Sequence, residues 1–199
     1  MLYVRFFSQR SVGHVYGLET RTELVERSRQ LAQRLGFARM GFLPLSVQAS
    51  MTSAELPARI DVVTALHACD TATDDAIAFG LAKQARHLVL VPCCQAEVAG
   101  VLRKHKALTL SKTPLSELWR HPLHTREFGS QITNVLRCLQ LEAHGYSVTV
   151  TELVGWEHSM KNELILATKV GAGKHSARER LTQVLQELNL QELTQRFGL

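Results

Sequence analysis

Short apolar runs in this chain alternate with longer stretches in which apolar residues recur every three to four positions, the pattern of strands alternating with helices in an α/β protein. The first run, "GHVYGLET" (13–20), leads from an apolar strand into Glu19. Directly behind it, Thr20 and Glu23 stand at the S/T-x-x-E spacing of a capping box, and Leu24, Ser28, Leu31 and Leu35 follow at helical spacing until Gly36 supplies a stop. "ARMGFLPL" (38–45) reads as a second strand, interrupted by Gly41 and closed by Pro44.

"RIDVVTAL" (59–66) and "RHLVLVP" (86–92) are continuous apolar runs, the form strands take when both faces of a sheet are covered. Between them Thr71 and Asp74 offer a second cap, with Ala72, Ala76, Ile77, Phe79 and Leu81 as the apolar side of a helix. Residues 95–124 read as a basic, partly irregular excursion from the core. A helix over 125–144, ending near Gly145, brings the chain back. "YSVTVTELV" then alternates Tyr146, Val148 and Val150 with Ser147, Thr149 and Thr151 at the period of a strand.

The link "GWEHSMK" to the next strand, "NELILATKV", is about seven residues. A parallel crossover needs a dozen or more, so these two strands must run antiparallel. The predicted fold class is therefore α/β: a Rossmann-like sheet, mostly parallel, with an antiparallel C-terminal hairpin. This is not the layout of a standard dinucleotide dehydrogenase, and the chain also lacks a G-x-G-x-x-G run. Residues 176–197 open on a Ser176 to Glu179 capping box and carry Leu181, Leu185, Leu188 and Leu193, an amphipathic helix suited to packing on the sheet or on a second copy.

Composition narrows the class. With 199 residues, 45% hydrophobic and 21% charged, the chain has the make-up of a soluble globular domain. Its apolar runs are far shorter than the roughly 20 residues of a membrane span, and residues 1–10 lack the features of a signal peptide. The expectation is a cytoplasmic protein, in which Cys69, Cys93, Cys94 and Cys138 are kept as thiols. The net charge of +5 is concentrated: from Val101 to Arg126 six Lys or Arg face one acid, Glu117. Such a stretch suits an anionic partner such as RNA, and equally a solvated surface loop.

Ligands of open α/β sheets sit outside the carboxyl ends of the strands. Four segments of this chain end there: Glu19, "HACD" (67–70), "PCCQ" (92–95), and the hairpin residues from Trp156 to Lys161. Glu19 suits two vicinal ribose hydroxyls, since a carboxylate only accepts hydrogen bonds; it equally suits the dipole of the helix behind it. His67, Cys69 and Asp70 with Cys93 and Cys94 carry zinc-ligand chemistry, but without a C-x-x-C pair the spacing opposes a metal site, and none is assigned. Asp70 reads either as a helix cap or as a polar group on the floor of a cofactor pocket. Cys93 and Cys94 are small buried residues or a nucleophile. Trp156 and His158, beside Lys161 and Asn162, line a substrate mouth or form a solvated turn.

At "ALHACDTATDDAIAFGLAK", "LVLVPCCQ" and "TELVGWEHSMKNELILATK" the sequence resembles the class I S-adenosylmethionine-dependent methyltransferases of the methyltransferase-like group, and is similar to the eukaryotic tRNA ribose methyltransferases. The shared motifs are His-x-Cys followed by Gly or Asp, Pro-Cys-Cys, and Glu-His-x-x-Lys-Asn. The resemblance implies S-adenosylmethionine as cofactor, with Glu19 on the ribose and His67, Cys69 and Asp70 at the junction of methyl donor and acceptor. It implies catalytic roles for Asp70 and His67, and puts Cys93, Cys94, Gln95, Trp156, His158, Lys161 and Asn162 on the substrate. Residues 1–172 are then a methyltransferase-like domain and 173–199 a C-terminal helical extension.

One departure stands out. In the family the first strand ends in a glycine-rich turn, where any side chain would block the cofactor's approach, and this chain has no such turn. "LYVRFFSQRSVG" resembles the helix that follows it, so the chain reads as starting one strand and one glycine loop late. The expectation that follows is weak or absent cofactor binding, or an inactive relative that serves as a binding or partner protein.

Overall fold

The computed structural model of the chain describes residues 13–66, 68–92, 95–105, 113–155 and 163–198, and the chain forms two compact units, 1–56 and 57–199. In the first, Val15–Leu18 (β1), Thr22–Arg34 (α1), Met40–Leu43 (β2) and Val47–Ser50 (α2) follow one another. Strands β1 and β2 pair in parallel, Val15 against Met40 through Leu18 against Leu43. Gly17 is required there: a Cβ at this position would lie 2.6 Å from the Phe42 ring. Gly36 stops α1 as predicted, with φ at +70°. The Phe37 N–H donates to the Ala32 carbonyl at 2.8 Å and the Gly36 N–H to that of Gln33 at 3.1 Å, which together make a Schellman motif.

Two expectations for α1 are corrected. The predicted capping box does not form: Arg21 is the N-cap residue and its side chain makes no cap, while the Thr20 hydroxyl turns to Glu19 at 3.4 Å. The Glu19 carboxylate takes the Arg21 N–H at 3.0 Å, and the helix begins one residue later than a Thr20 cap would start it. The buried stripe is also rotated. Val25 and Ala32 are inside, whereas Leu31 and Leu35 are 52% and 56% exposed, because the helix is held to β2 by Arg29, whose Nη2 and Nε donate to the Phe42 carbonyl at 2.6 and 3.0 Å.

The second unit contains Val62–Leu66 (β3), Ala72–Ala82 (α3), His87–Val91 (β4), Glu97–His105 (α4), a 3-10 turn at Pro114–Trp119, Pro122–Ala143 (α5), Tyr146–Glu152 (β5), Glu163–Lys169 (β6), His175–Glu187 (α6) and a 3-10 turn at Gln191–Leu193. The sheet order is β3-β4-β6-β5. β3 and β4 are parallel, and β6 runs antiparallel to both β4 and β5. The predicted C-terminal hairpin is therefore present, with Glu152 opposite Glu163, in a mixed α/β fold.

Register puts Val63, Leu88, Leu90, Ile165 and Ala167 on one face of this sheet, and all five are buried. On the other face Val62 and Leu66 are 48% and 61% exposed. β3 was expected to be covered on both faces; only one is, because it is an edge strand whose burial alternates at period two. The 95–124 excursion is likewise corrected, since α4 is regular and sends Val98, Val101 and Leu102 into a core with Leu136, Leu139, Leu181, Leu185 and Phe197. Gly129 of α5 brings these helices into contact: a Cβ there would lie 2.7 Å from that of Ala99. α5 begins at Pro122, three residues earlier than predicted, with proline in its first turn, where the missing N–H costs nothing.

Neither of the other two predicted caps forms, for a tertiary reason at α3 and a local one at α6. Thr71 is the N-cap of α3 but makes no side-chain cap, Thr73 donates instead to the Ala68 carbonyl at 2.6 Å, and Asp74 is drawn into a buried ion pair. At α6 the N-cap is Lys174, and Glu179 pairs with His175 at 3.3 Å. Ala76, Ile77 and Phe79 are buried as expected, and the α6 leucines pack on α4 and α5. Among the described residues no helix is long and apolar enough to cross a membrane.

Candidate functional site

The carboxyl ends of β3 and β4 open into the loops 67–71 and 92–96, beside the start of β6. Asp70 occupies the first loop in the left-handed region, at φ +51°, a conformation that Asp tolerates better than most residues. Its Oδ1 accepts the backbone N–H groups of Ala96 and Glu97 at 3.0 and 3.2 Å. These belong to the entry of α4, where backbone donors lack helical partners and the dipole favours an anion. Asp70 is thus a cap, as one of its two readings held, but of α4 rather than of the α3 that follows it.

Gln95 closes the second loop and is 4% exposed. Its Oε1 accepts from the Ser130 hydroxyl at 2.5 Å, and its Nε2 donates to Asn134 Oδ1 at 3.1 Å. Asn134 Nδ2 in turn donates to Glu163 Oε2 at 2.8 Å, at the head of β6. Beneath them lies Arg137, fully buried. It forks onto Asp74 at 2.7 and 2.9 Å, donates to the Asp70 carbonyl at 2.8 Å, and donates to Asn134 Oδ1 at 3.1 Å. One face of α5 therefore ties together the Asp70 loop, the Gln95 loop and the head of β6. Ser130, Asn134, Arg137 and Glu163 are not singled out by the sequence, and Asp74 is read there only as part of a helix cap. The available signal was Ser130, Asn134 and Arg137 at helical spacing along one side of α5.

In the other unit, Glu19 ends β1 as predicted. Oε1 accepts the Arg21 N–H and, at 3.2 Å, Arg21 Nε, while Oε2 meets Nη2 at 3.4 Å. The hydrogen bond from the Arg21 side chain, more than any other influence, holds this carboxyl below its ordinary range. The pair is exposed, with side-chain accessibilities of 65% for Arg21 and 35% for Glu19, so another donor can displace the guanidinium at little cost.

Cys69 is exposed beside Asp70. His67, Cys93, Cys94, Trp156, His158, Lys161 and Asn162 lie outside the described residues, as do Lys106 and Lys112 of the basic stretch. Of its other cations, Lys104 pairs with Glu192 at 3.5 Å, Arg120 with Glu117 at 3.1 Å and Arg126 with Glu127 at 3.3 Å, all on the surface. Cys138 is inert by contrast: burial first, then Glu163 and Glu142, push its thiol up to about 12.

No curated protein matches the chain at a significant level. A family model described as a methyltransferase domain matches residues 1–101, a span that includes Glu19, the Asp70 and Gln95 loops and the α4 entry that Asp70 caps. With more than half of its length in that match, the chain belongs to the methyltransferase-domain family.

Proposed function

We propose that the protein is a class I S-adenosylmethionine-dependent methyltransferase acting on RNA, similar to the tRNA ribose methyltransferases. The observation that carries this reading is the Asp70 carboxylate, fixed by two backbone N–H groups at the carboxyl end of a strand inside the methyltransferase match. In this reading the acceptor-only carboxylate of Glu19 takes the ribose hydroxyls, with Arg21 moved aside, and Asp70, Cys69 and His67 serve the methyl-bearing part as the family resemblance implies. When bound, S-adenosylmethionine supplies an electrophilic methyl group.

The rest falls to the chain's own residues. In this reading Asp70, with His67, orients the acceptor and takes its proton, while Cys93, Cys94, Gln95, Trp156, His158, Lys161 and Asn162 line the acceptor groove. Much of the rate comes from alignment of acceptor and methyl. Residues 1–172 make up the methyltransferase-like domain and 173–199 its helical extension. RNA is favoured by the concentrated positive charge of 101–126, whose exposed ion pairs yield readily to phosphate.

Calorimetric titration of S-adenosylmethionine into the protein tests the cofactor, with saturable binding expected and at least a tenfold loss in Glu19→Gln. A folded sample that gives no heat overturns the reading. For the acceptor, log affinity for RNA should fall with log salt concentration; a slope near zero removes RNA.

A further inference from the structure

We infer that Arg137 is a positioning residue for the Asp70 site, an assignment that rests on the reading of Asp70 as part of the cofactor and acceptor site. Four contacts of one guanidinium carry it: two to Asp74, one to the Asp70 carbonyl and one to Asn134 Oδ1. Asp70 sits at φ +51°, a left-handed conformation that Asp tolerates but that its neighbours here also fix. Arg137 supplies the constraint from below, through the carbonyl, and the α4 entry supplies it from the side, through the carboxylate.

The same group sets the polarity of the amides above it. Arginine has donors and no acceptor, so Asn134 must turn Oδ1 toward Arg137, which directs its Nδ2 to Glu163. Gln95 then has to present Nε2 to that same Oδ1, leaving its Oε1 for the Ser130 hydroxyl. A single buried cation thereby decides which way Gln95 and Glu163 face at the head of two loops. Asp74 lies in α3 and Arg137 in α5, 63 positions apart, so both helices must be packed before the loops are set.

A buried ion pair can be replaced by apolar groups without loss of stability, and this separates positioning from mere support. The double variant Asp74→Val/Arg137→Met removes both charges together. Arg137→Lys keeps a charge opposite Asp74 but cannot reach all four acceptors, and it serves should the double variant not fold. The reporter is amide hydrogen exchange at Ala96 and Glu97, whose N–H groups touch Asp70 and not Arg137, with Leu102 as the control within α4. Protection at Ala96 and Glu97 should fall at least tenfold in either variant while Leu102 holds. Protection within threefold of wild type overturns the assignment.

Titration with S-adenosylmethionine gives the second reading: the variants should bind at least tenfold more weakly than wild type, and binding within twofold overturns the role. A wild-type protein that binds no cofactor overturns the cofactor reading alone, and amide exchange still decides Arg137.

Discussion

Among the described residues there are two parallel strand pairs, and they are sustained in different ways. β1 and β2 are four residues each, half-buried along nearly their whole length. The buried hydrophobics among the described residues of their unit are Val25, Ala32, Leu43 and Leu56. β4, in the other unit, has Leu88, Leu90 and Val91 at 0–1% exposure. The same contrast governs charge. Glu19 and Arg21 meet on the surface, where water and salt screen them, whereas Asp74 and Arg137 meet at 5% and 1% exposure. An arginine and a carboxylate are replaceable in the first setting and structurally decisive in the second, because only the second lies beneath several helices.

The largest expected effect tests that difference directly. Asp74→Ala leaves Arg137 buried without its counter-charge and should cost about 3–5 kcal/mol in urea unfolding, whereas Arg21→Ala should leave the midpoint almost unmoved. The next concerns Cys138, whose folded pKa of about 12 stands above the ordinary 9.0. Between those values the native state holds a proton that the unfolded chain has released. Stability from this group is thus complete below pH 9 and declines as pH rises toward 12, by at most about 4 kcal/mol. The burial that raises Tyr146 adds in the same direction. Cys138→Ala should flatten the alkaline limb.

Smaller effects sharpen the comparison of cores. Leu181→Ala should cost about 2–5 kcal/mol, and Leu31→Ala less than about 0.5 kcal/mol, although the sequence presents both as stripe leucines. Equal losses would mean that the thin unit hides a core of its own. At the small end, Gln84 closes α3 at φ +51°, with the Ala85 N–H on the Gly80 carbonyl at 2.8 Å. Gln84→Gly should raise stability by about 0.5 kcal/mol, as relief of the left-handed strain is partly offset by glycine's greater chain entropy.

Several features were legible because they are local. Gly36 ends α1 since a left-handed residue is needed within a few bonds of it, and a short connection forces the antiparallel hairpin. The leucines of α6 lie on one side because a helix repeats every 3.6 residues. At the site, Glu19 and Asp70 were legible as acids just beyond strand ends. Gln95 was legible as the end of the strand-end segment 92–95, its substrate role came from the resemblance, and its partner Asn134, 39 positions away, was not foreseen. Three predicted caps do not form: at α1 and α6 the competitors, Glu19 and His175, are neighbours in sequence, whereas at α3 Arg137 reaches Asp74 from 63 positions away.

The sequence by itself determined the succession of elements, the direction of the hairpin and the acids at the strand ends, all of which follow from chain geometry over a few residues. Only the tertiary structure decided that β3 keeps one bare face, that α4 belongs to the core, and that a buried arginine of α5 ties α3 to the Asp70 loop. Burial depends on what is stacked above a residue, and the strength of a charge pair depends on how much water is left around it; neither is written in local spacing.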